Sequence, residues 1–335
     1  MTAFSAFTLT QNVKVAMNSG KKKTKFSHEM EHVMRTALAL AVAMSIASTA
    51  AWSQAAGNQS AGDQPQAKAA ATAEKCDNPH ALGVGRVVQI DTTGGPGFGF
   101  QQFKAYDFLK DHEVVLTFDD GPWPGNTPRV LKALADQCTK ALFFPIGKHA
   151  GWHPEILKRV VAAGHTVGSH TWSHKDLKQL TPQEATDEFE KGVAAVSIAL
   201  GNKPIAPFFR FPALSSPPEM IKYLGERNVG IFSADFDSFD FKMRRPQQVV
   251  KSVEAKLEKN GKGIILMHDF QHATSEALPE ILKYLKDNHY TVVQIVGKTP
   301  MQPKKEYVDM VLKEMGGGLD EARPMSSVIQ TIQQN

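Results

Sequence analysis

The chain has 335 residues, a formal net charge of +4 and 21% charged residues. That length holds one large domain or two small ones, with a sizeable core either way. So mild a charge, without Lys/Arg runs interleaved with aromatics, gives no case for a nucleic-acid partner, and none is expected.

In chain order, a basic cluster, Lys21–Lys25, lies in a stretch (residues 1–33) unlike the rest. Then comes "MRTALALAVAMSIASTAAWSQAAG", Met34 to Gly57. A positive residue, a short apolar run and an end in small residues are the layout of a secretory signal. The run falls short of the ~20 residues of a membrane span, and an uncleaved anchor is the alternative. An export signal normally opens a protein, so a start at Met17, Met30 or Met34 would make residues 1–33 a doubtful extension. Residues 34–55 are read as the signal and 56–75 as a flexible Ala/Gln/Gly/Asn linker. The mature protein is expected to be secreted or periplasmic, touching the membrane only during export.

Cys76 and Cys138 are the only cysteines. In an oxidising compartment they are expected to pair, stapling the segment 76–112 onto the first helix of the main domain; two free thiols are the alternative. Within that segment "DTTGGPGFGF" is Gly-rich, but it lacks the Lys-Ser/Thr ending of a phosphate loop.

From Glu113 a rhythm begins. "EVVLTF" predicts a buried strand. "TPRVLKALADQ" predicts a helix with Thr127 as N-cap and Pro128 at the first helical position. Strand "KALFFPIG", helix "PEILKRVVAAG" and short strand "HTVGSH" follow. "TPQEATDEFEKGVAAVSIALG" is a long helix opening on a capping box, Thr181 with Glu184. The alternation continues through "PFFRF", "PPEMIKYLGERN", "VGIFSAD", "PQQVVKSVEAKLEKNG", "GIILMHD", "SEALPEILKYLKDN" and "YTVVQI". Seven strands alternating with six helices predict an α/β fold with a parallel sheet. A closed or nearly closed barrel is preferred over an open sheet, because polar motifs stand at the C-terminal end of strand after strand, where a barrel gathers them around one mouth. The catalytic domain is placed at 113–299, and residues 300–335 are expected to form an irregular surface tail.

The strand ends carry Asp119-Asp120 in "TFDDGP", His170 and His174 in "HTWSH", Arg210 in "RFPA", Asp237 and Asp240 in "DSFDF", and His268 and Asp269 in "LMHD". A core normally excludes such groups unless they are paired. Adjacent carboxylates repel, so Asp119-Asp120 asks for a positive partner. His170 and His174, four apart, would project to one side of a helical turn. Two imidazoles and a carboxylate then make a tridentate zinc site, with one Asp on the metal and the other near enough to take a proton from water. A two-His-one-carboxylate iron oxygenase would need no second Asp, Arg or further His.

"TFDDGP", "HTWSH", "RFP", "DSFDF" and "LMHD", in this order, resemble the five motifs of the polysaccharide deacetylases (carbohydrate esterase family four), over roughly residues 113–296. The resemblance implies a distorted (β/α)7-8 barrel of the polysaccharide deacetylase type and metal-dependent removal of N-acetyl groups from an N-acetylglucosamine-containing glycan. It implies Asp119 as base and Asp120, His170 and His174 as ligands of a divalent ion, zinc foremost, with Co, Ni, Mn or Fe as alternatives. Arg210 would orient Asp119, His268 would be the general acid, Asp240 would hold His268 protonated, and Leu266 would line the acetyl pocket. Two positions depart from the pattern. Ala213 replaces an aromatic but keeps the backbone N–H that faces the oxyanion, and Phe241 replaces a Trp. Two other readings stand beside this one: an amidohydrolase of the same fold acting on a small non-sugar amide, and a catalytically silent carbohydrate-binding protein. Exposed aromatics such as Trp123 or Trp172 along a groove would favour a polymer; as core residues they would not.

Overall fold

The computed structural model describes residue 76 and residues 78–316. The doubtful extension, the signal and the linker lie outside the described residues. The strands are β1 (Arg86–Ile90), β2 (Gly97–Phe98), β3 (Glu113–Asp119), β4 (Leu142–Phe144), β5 (Thr166–Val167), β6 (Phe208–Phe209), β7 (Gly230–Phe232), β8 (Phe236–Asp237), β9 (Gly263–His268) and β10 (Thr291–Gly297). The helices are α1 (Asn126–Asp136), α2 (Gly147–Trp152), α3 (Pro154–Ala162), α4 (Pro182–Ala199), α5 (Pro218–Glu226), α6 (Pro246–Asn260), α7 (His272–Asp287) and α8 (Lys305–Gly316). None of them is long and apolar enough to cross a membrane.

Every named ladder is parallel. β3 pairs with β4 on one side and β9 on the other, β4 continues to β5, and β9 to β8. A single bridge, Ser169 to Phe209, leads from β5 to β6, which pairs with β7. No ladder joins β7 to β8 among the described residues, so the ring is a distorted (β/α) barrel rather than a closed one. β10 pairs with the first residues of β3 and carries β1, while β2 adds to β7.

The alternation of strand side chains divides the core in two. On β3, Val114, Leu116 and Phe118 pack against the helices, whereas Val115 joins Leu142, Phe144, Phe208, Phe232 and Ile264 inside the ring. Thr117 and Asp119 share the face of Val115 and so point inward too.

The capping box on α4 forms as expected, with Thr181 accepting from the Glu184 N–H and Glu184 returning to Thr181. Thr127 does not cap α1. The helix starts two residues earlier, at Asn126 behind Gly125, and the Thr127 hydroxyl is spent on Asp269, donating to its Oδ2 at 2.5 Å. Cys76 and Cys138 form a disulfide, with Cα atoms 5.7 Å apart. Beyond Thr299 an irregular tail was expected, but Lys305–Gly316 is a helix whose Tyr307 and Val311 are buried with Trp172 against α4.

Candidate active site at the barrel mouth

The strand that delivers Asp119 and Asp120 explains how both reach one place. Asp119 ends β3 in register with Phe144 and His268. A regular strand would send Asp120 outward, but its φ of 71° is left-handed and turns it toward the mouth. The next residue must be glycine: a Cβ on Gly121 would lie 2.2 Å from Asp269 Oδ2. Asp269 is buried beneath this turn. Burial pushes its carboxyl up to about 7, and the charge of Asp120 adds to the shift.

His170 and His174 do not share a helical turn. Thr171 and His174 both take positive φ, and the segment is an irregular loop pinned by the His174 N–H on Thr171 Oγ1 at 3.0 Å. The two rings nevertheless face each other, with centroids 4.9 Å apart. His170 Nδ1 donates to the Arg210 carbonyl at 2.7 Å. That bond fixes the tautomer and leaves the Nε2 lone pair aimed at Asp120. Burial holds the His170 imidazole below its ordinary value, hence neutral as a ligand must be. His170 Nε2 and His174 Nε2 each stand 3.4 Å from Asp120 Oδ1. One ligand atom from each of Asp120, His170 and His174 falls within 4.8 Å of the others. Asp120 Oδ1 is buried and has no hydrogen-bond donor. An orphaned buried carboxylate oxygen between two imidazoles is a donor set for a divalent cation.

Two buried pairs flank this triad. Arg210, wholly buried, donates from Nη1 to Asp119 Oδ1 and to Thr117 Oγ1, both at 2.7 Å. Its other nitrogens donate to the Phe232 and Ser233 carbonyls, and its guanidinium lies over the Phe144 ring. On the other side His268 Nδ1 meets Asp240 Oδ1 at 2.6 Å, while Asp240 Oδ2 accepts from the His268 N–H and from Thr274 Oγ1. Burial alone would lower the His268 imidazole. The charge and hydrogen bond of Asp240, with Asp120 and Asp119 behind, outweigh it and raise the value to about 10. His268 Nε2 points toward Asp120 Oδ2 at 3.9 Å.

The remaining expected residues line the approach. Leu266 is buried on β9, on the inward face it shares with His268. Phe241 is 45% exposed and sets its ring edge-on to His268 at 5.5 Å, with exposed Phe239 beside it. Ala213 sits exposed in the short turn Pro212–Leu214 after β6. Trp172 is core, packed with α4 and α8. Trp123 is 37% exposed and packs against His149 and His153. Asp237 keeps to its own loop, accepting from the Phe239 N–H at 2.7 Å.

Two contributors had no role in the sequence reading. Asp269, noted there only as part of its motif, locks the Gly121 turn. His149 donates from Nδ1 to the Asp120 carbonyl at 2.6 Å; it lies on the six-residue α2, too short to show a helical period. A cavity of about 1190 Å³ beside Cys76–Cys138 contains none of these groups.

A cation seat between a carboxylate held by arginine and an imidazole held protonated defines a barrel with the parts of an amide hydrolase. Residues 108–229 match the family model "Polysaccharide deacetylase". The chain is 33% identical over 202 residues to peptidoglycan-N-acetylglucosamine deacetylase PgdA of Listeria monocytogenes, covering 58% of this chain and 41% of that one. It is 32% identical over 163 residues to a chitooligosaccharide deacetylase of Bradyrhizobium, covering 49% of this chain and 73% of that one. Among solved structures, the Bdellovibrio bacteriovorus peptidoglycan deacetylase Bd3279 matches with a TM-score of 0.58 and 34% identity, over 64% of this chain and 59% of that one. The chain belongs to the polysaccharide deacetylase family. It spans about two fifths of the Listeria protein.

Proposed function

We propose that the chain removes acetyl groups from N-acetylglucosamine units of an extracytoplasmic glycan of the peptidoglycan or chitin kind, by hydrolysis at a divalent metal, zinc foremost. The observation that carries this is the orphaned Asp120 Oδ1, 3.4 Å from both His170 Nε2 and His174 Nε2, between the Arg210–Asp119 and Asp240–His268 pairs. Asp120, His170 and His174 would hold the ion. When bound, it would lower the pKa of water and polarise the acetyl carbonyl.

The chain's own residues supply the proton movements. Asp119, fixed by Arg210, takes the proton of the attacking water. The Ala213 N–H faces the oxygen on which negative charge develops. His268 donates from Nε2 to the departing amine, because an amide anion is too poor a leaving group to depart unprotonated. Acetate and a free glucosamine unit result. Leu266 is the wall for the acetyl methyl, and Phe241 offers a ring face to the sugar.

The exposed rings of Trp123, Trp152, Phe239 and Phe241 beside these groups favour a glycan chain over a small non-sugar amide. A catalytically silent binding protein would have lost base or acid first, and Asp119 and His268 are both in place. Export is supported by the signal-like stretch 34–57 and the Cys76–Cys138 bridge. Acetate release from peptidoglycan, chitin oligomers and a small acetanilide, with and without a chelator, tests the reading. Release from a glycan, abolished by the chelator, is expected; release from the acetanilide alone would replace the proposal with the small-amide reading.

A further inference from the structure

We infer that Gln102 is a positioning residue: from a segment ahead of the family-matched region, its carboxamide tethers the turn that presents the Ala213 N–H. What the turn does rests on the deacetylase reading; the tether itself is geometry. Ala213 and Leu214 are successive non-glycine residues at φ 52° and 54°. L-residues hold that conformation in pairs only where the surroundings impose it. The turn's own bonds, Leu214 N–H to the Phe211 carbonyl at 3.0 Å and Ser215 N–H to the Pro212 carbonyl at 2.9 Å, are internal. From the segment just after β2, Gln102 Nε2 donates to the Leu214 carbonyl and to Ser216 Oγ. It thereby clamps the second left-handed residue and the chain just after it.

The anchor is itself well held. The Gln101 N–H donates to the Ala234 carbonyl at 3.0 Å, and the Phe100 N–H to Asp235 Oδ1 at 2.7 Å. Gly99 lets the two backbones approach, since a Cβ there would stand 2.7 Å from Ala234 N. β2 also steadies the Arg210 side of the site: the Phe98 carbonyl accepts from Ser233 N–H, and the Ser233 carbonyl accepts from Arg210 Nη2. One strand segment, before residue 108 where the family match begins, thus braces the Ala213 turn and an acceptor of Arg210 together.

The test compares Gln102→Ala and Gln102→Glu with the parent; Glu keeps the shape but brings no donor. Hydrogen–deuterium exchange at the Leu214 and Ser215 amides is expected to quicken in both variants, with the strands of the barrel unchanged. The kcat for acetate release is expected to fall roughly tenfold or more, with KM within about twofold, the signature of a contact realised in the transition state. Parent-like exchange at the turn in both variants, or a Gln102→Glu protein with parent kcat, would overturn the inference. A parent that releases no acetate would refute the deacetylase reading, and the exchange measurement would still decide the tether.

Discussion

Arg210 Nη1 lies 2.7 Å from Asp119 Oδ1, with the arginine wholly and the aspartate almost wholly out of solvent. Removing one member of such a pair leaves an uncompensated buried charge. Arg210→Met is therefore expected to cost roughly 3–5 kcal/mol of stability. The double variant Arg210→Met/Asp119→Asn should recover a good part of that loss, because no bare carboxylate remains. Urea unfolding of the parent, both singles and the double checks this; a single Arg210→Met as stable as the double would refute it.

Asp240 controls the protonation of His268 through the 2.6 Å contact at Nδ1 and raises it to about 10 against the lowering effect of burial. With the charge of Asp120 neutralised by a cation the value falls below that, yet it stays tied to Asp240. An acid with a raised pKa is loaded below that value and empty above it. Asp240→Asn leaves only the smaller pull of Asp120 and Asp119 against burial, so the alkaline limb of the pH profile for acetate release should move acid-ward by about two units or more. Superimposable profiles would remove Asp240 from this role. His268→Ala should lower turnover by about 10²–10⁴-fold while metal content holds.

Much of this was legible from the residues. The apolar runs of β3 and β9 are long enough to read as buried strands, and the polar tips Asp119 and His268 follow from where those runs stop, while His170, Arg210 and Asp240 stand just past shorter elements. The mouth they share required only that the strands ring one centre, which they do without full closure. What escaped had physical reasons. β2 and β8 are two residues each and leave no pattern. α8 buries only Tyr307 and Val311 outright, with Val308 and Met315 partly covered, a face that reads as a tail until α4 and Trp172 pack on it. The left-handed φ of Asp120, Thr171 and His174 is invisible in residue types that ordinarily avoid it. The helical-turn expectation for the histidines failed there even though the two rings still meet.

His165 offers a test of stability away from the mouth. It is buried, its Nδ1 accepts from the Ala141 N–H, and burial lowers its pKa to about 3. Unfolded, it titrates near 6.5. As the pH falls below 6.5 the unfolded chain binds the proton first, so this contribution to stability is complete above that value and is lost toward pH 3. The slope is about 1.4 kcal/mol per pH unit. His165→Gln should therefore lose less stability than the parent between about pH 7.5 and 5.5 in urea titrations, by roughly 1 kcal/mol. Equal losses would show that the histidine is not held neutral.

The decisive measurement is the metal content of the parent and of Asp120→Asn after stripping with a chelator, reloading with zinc and removing the excess. About one zinc per parent chain, and almost none in the variant, is the expected result for a site with three protein ligands. A parent that retains no ion, or an Asp120→Asn protein that retains a full complement, would contradict a cation seat formed by Asp120, His170 and His174.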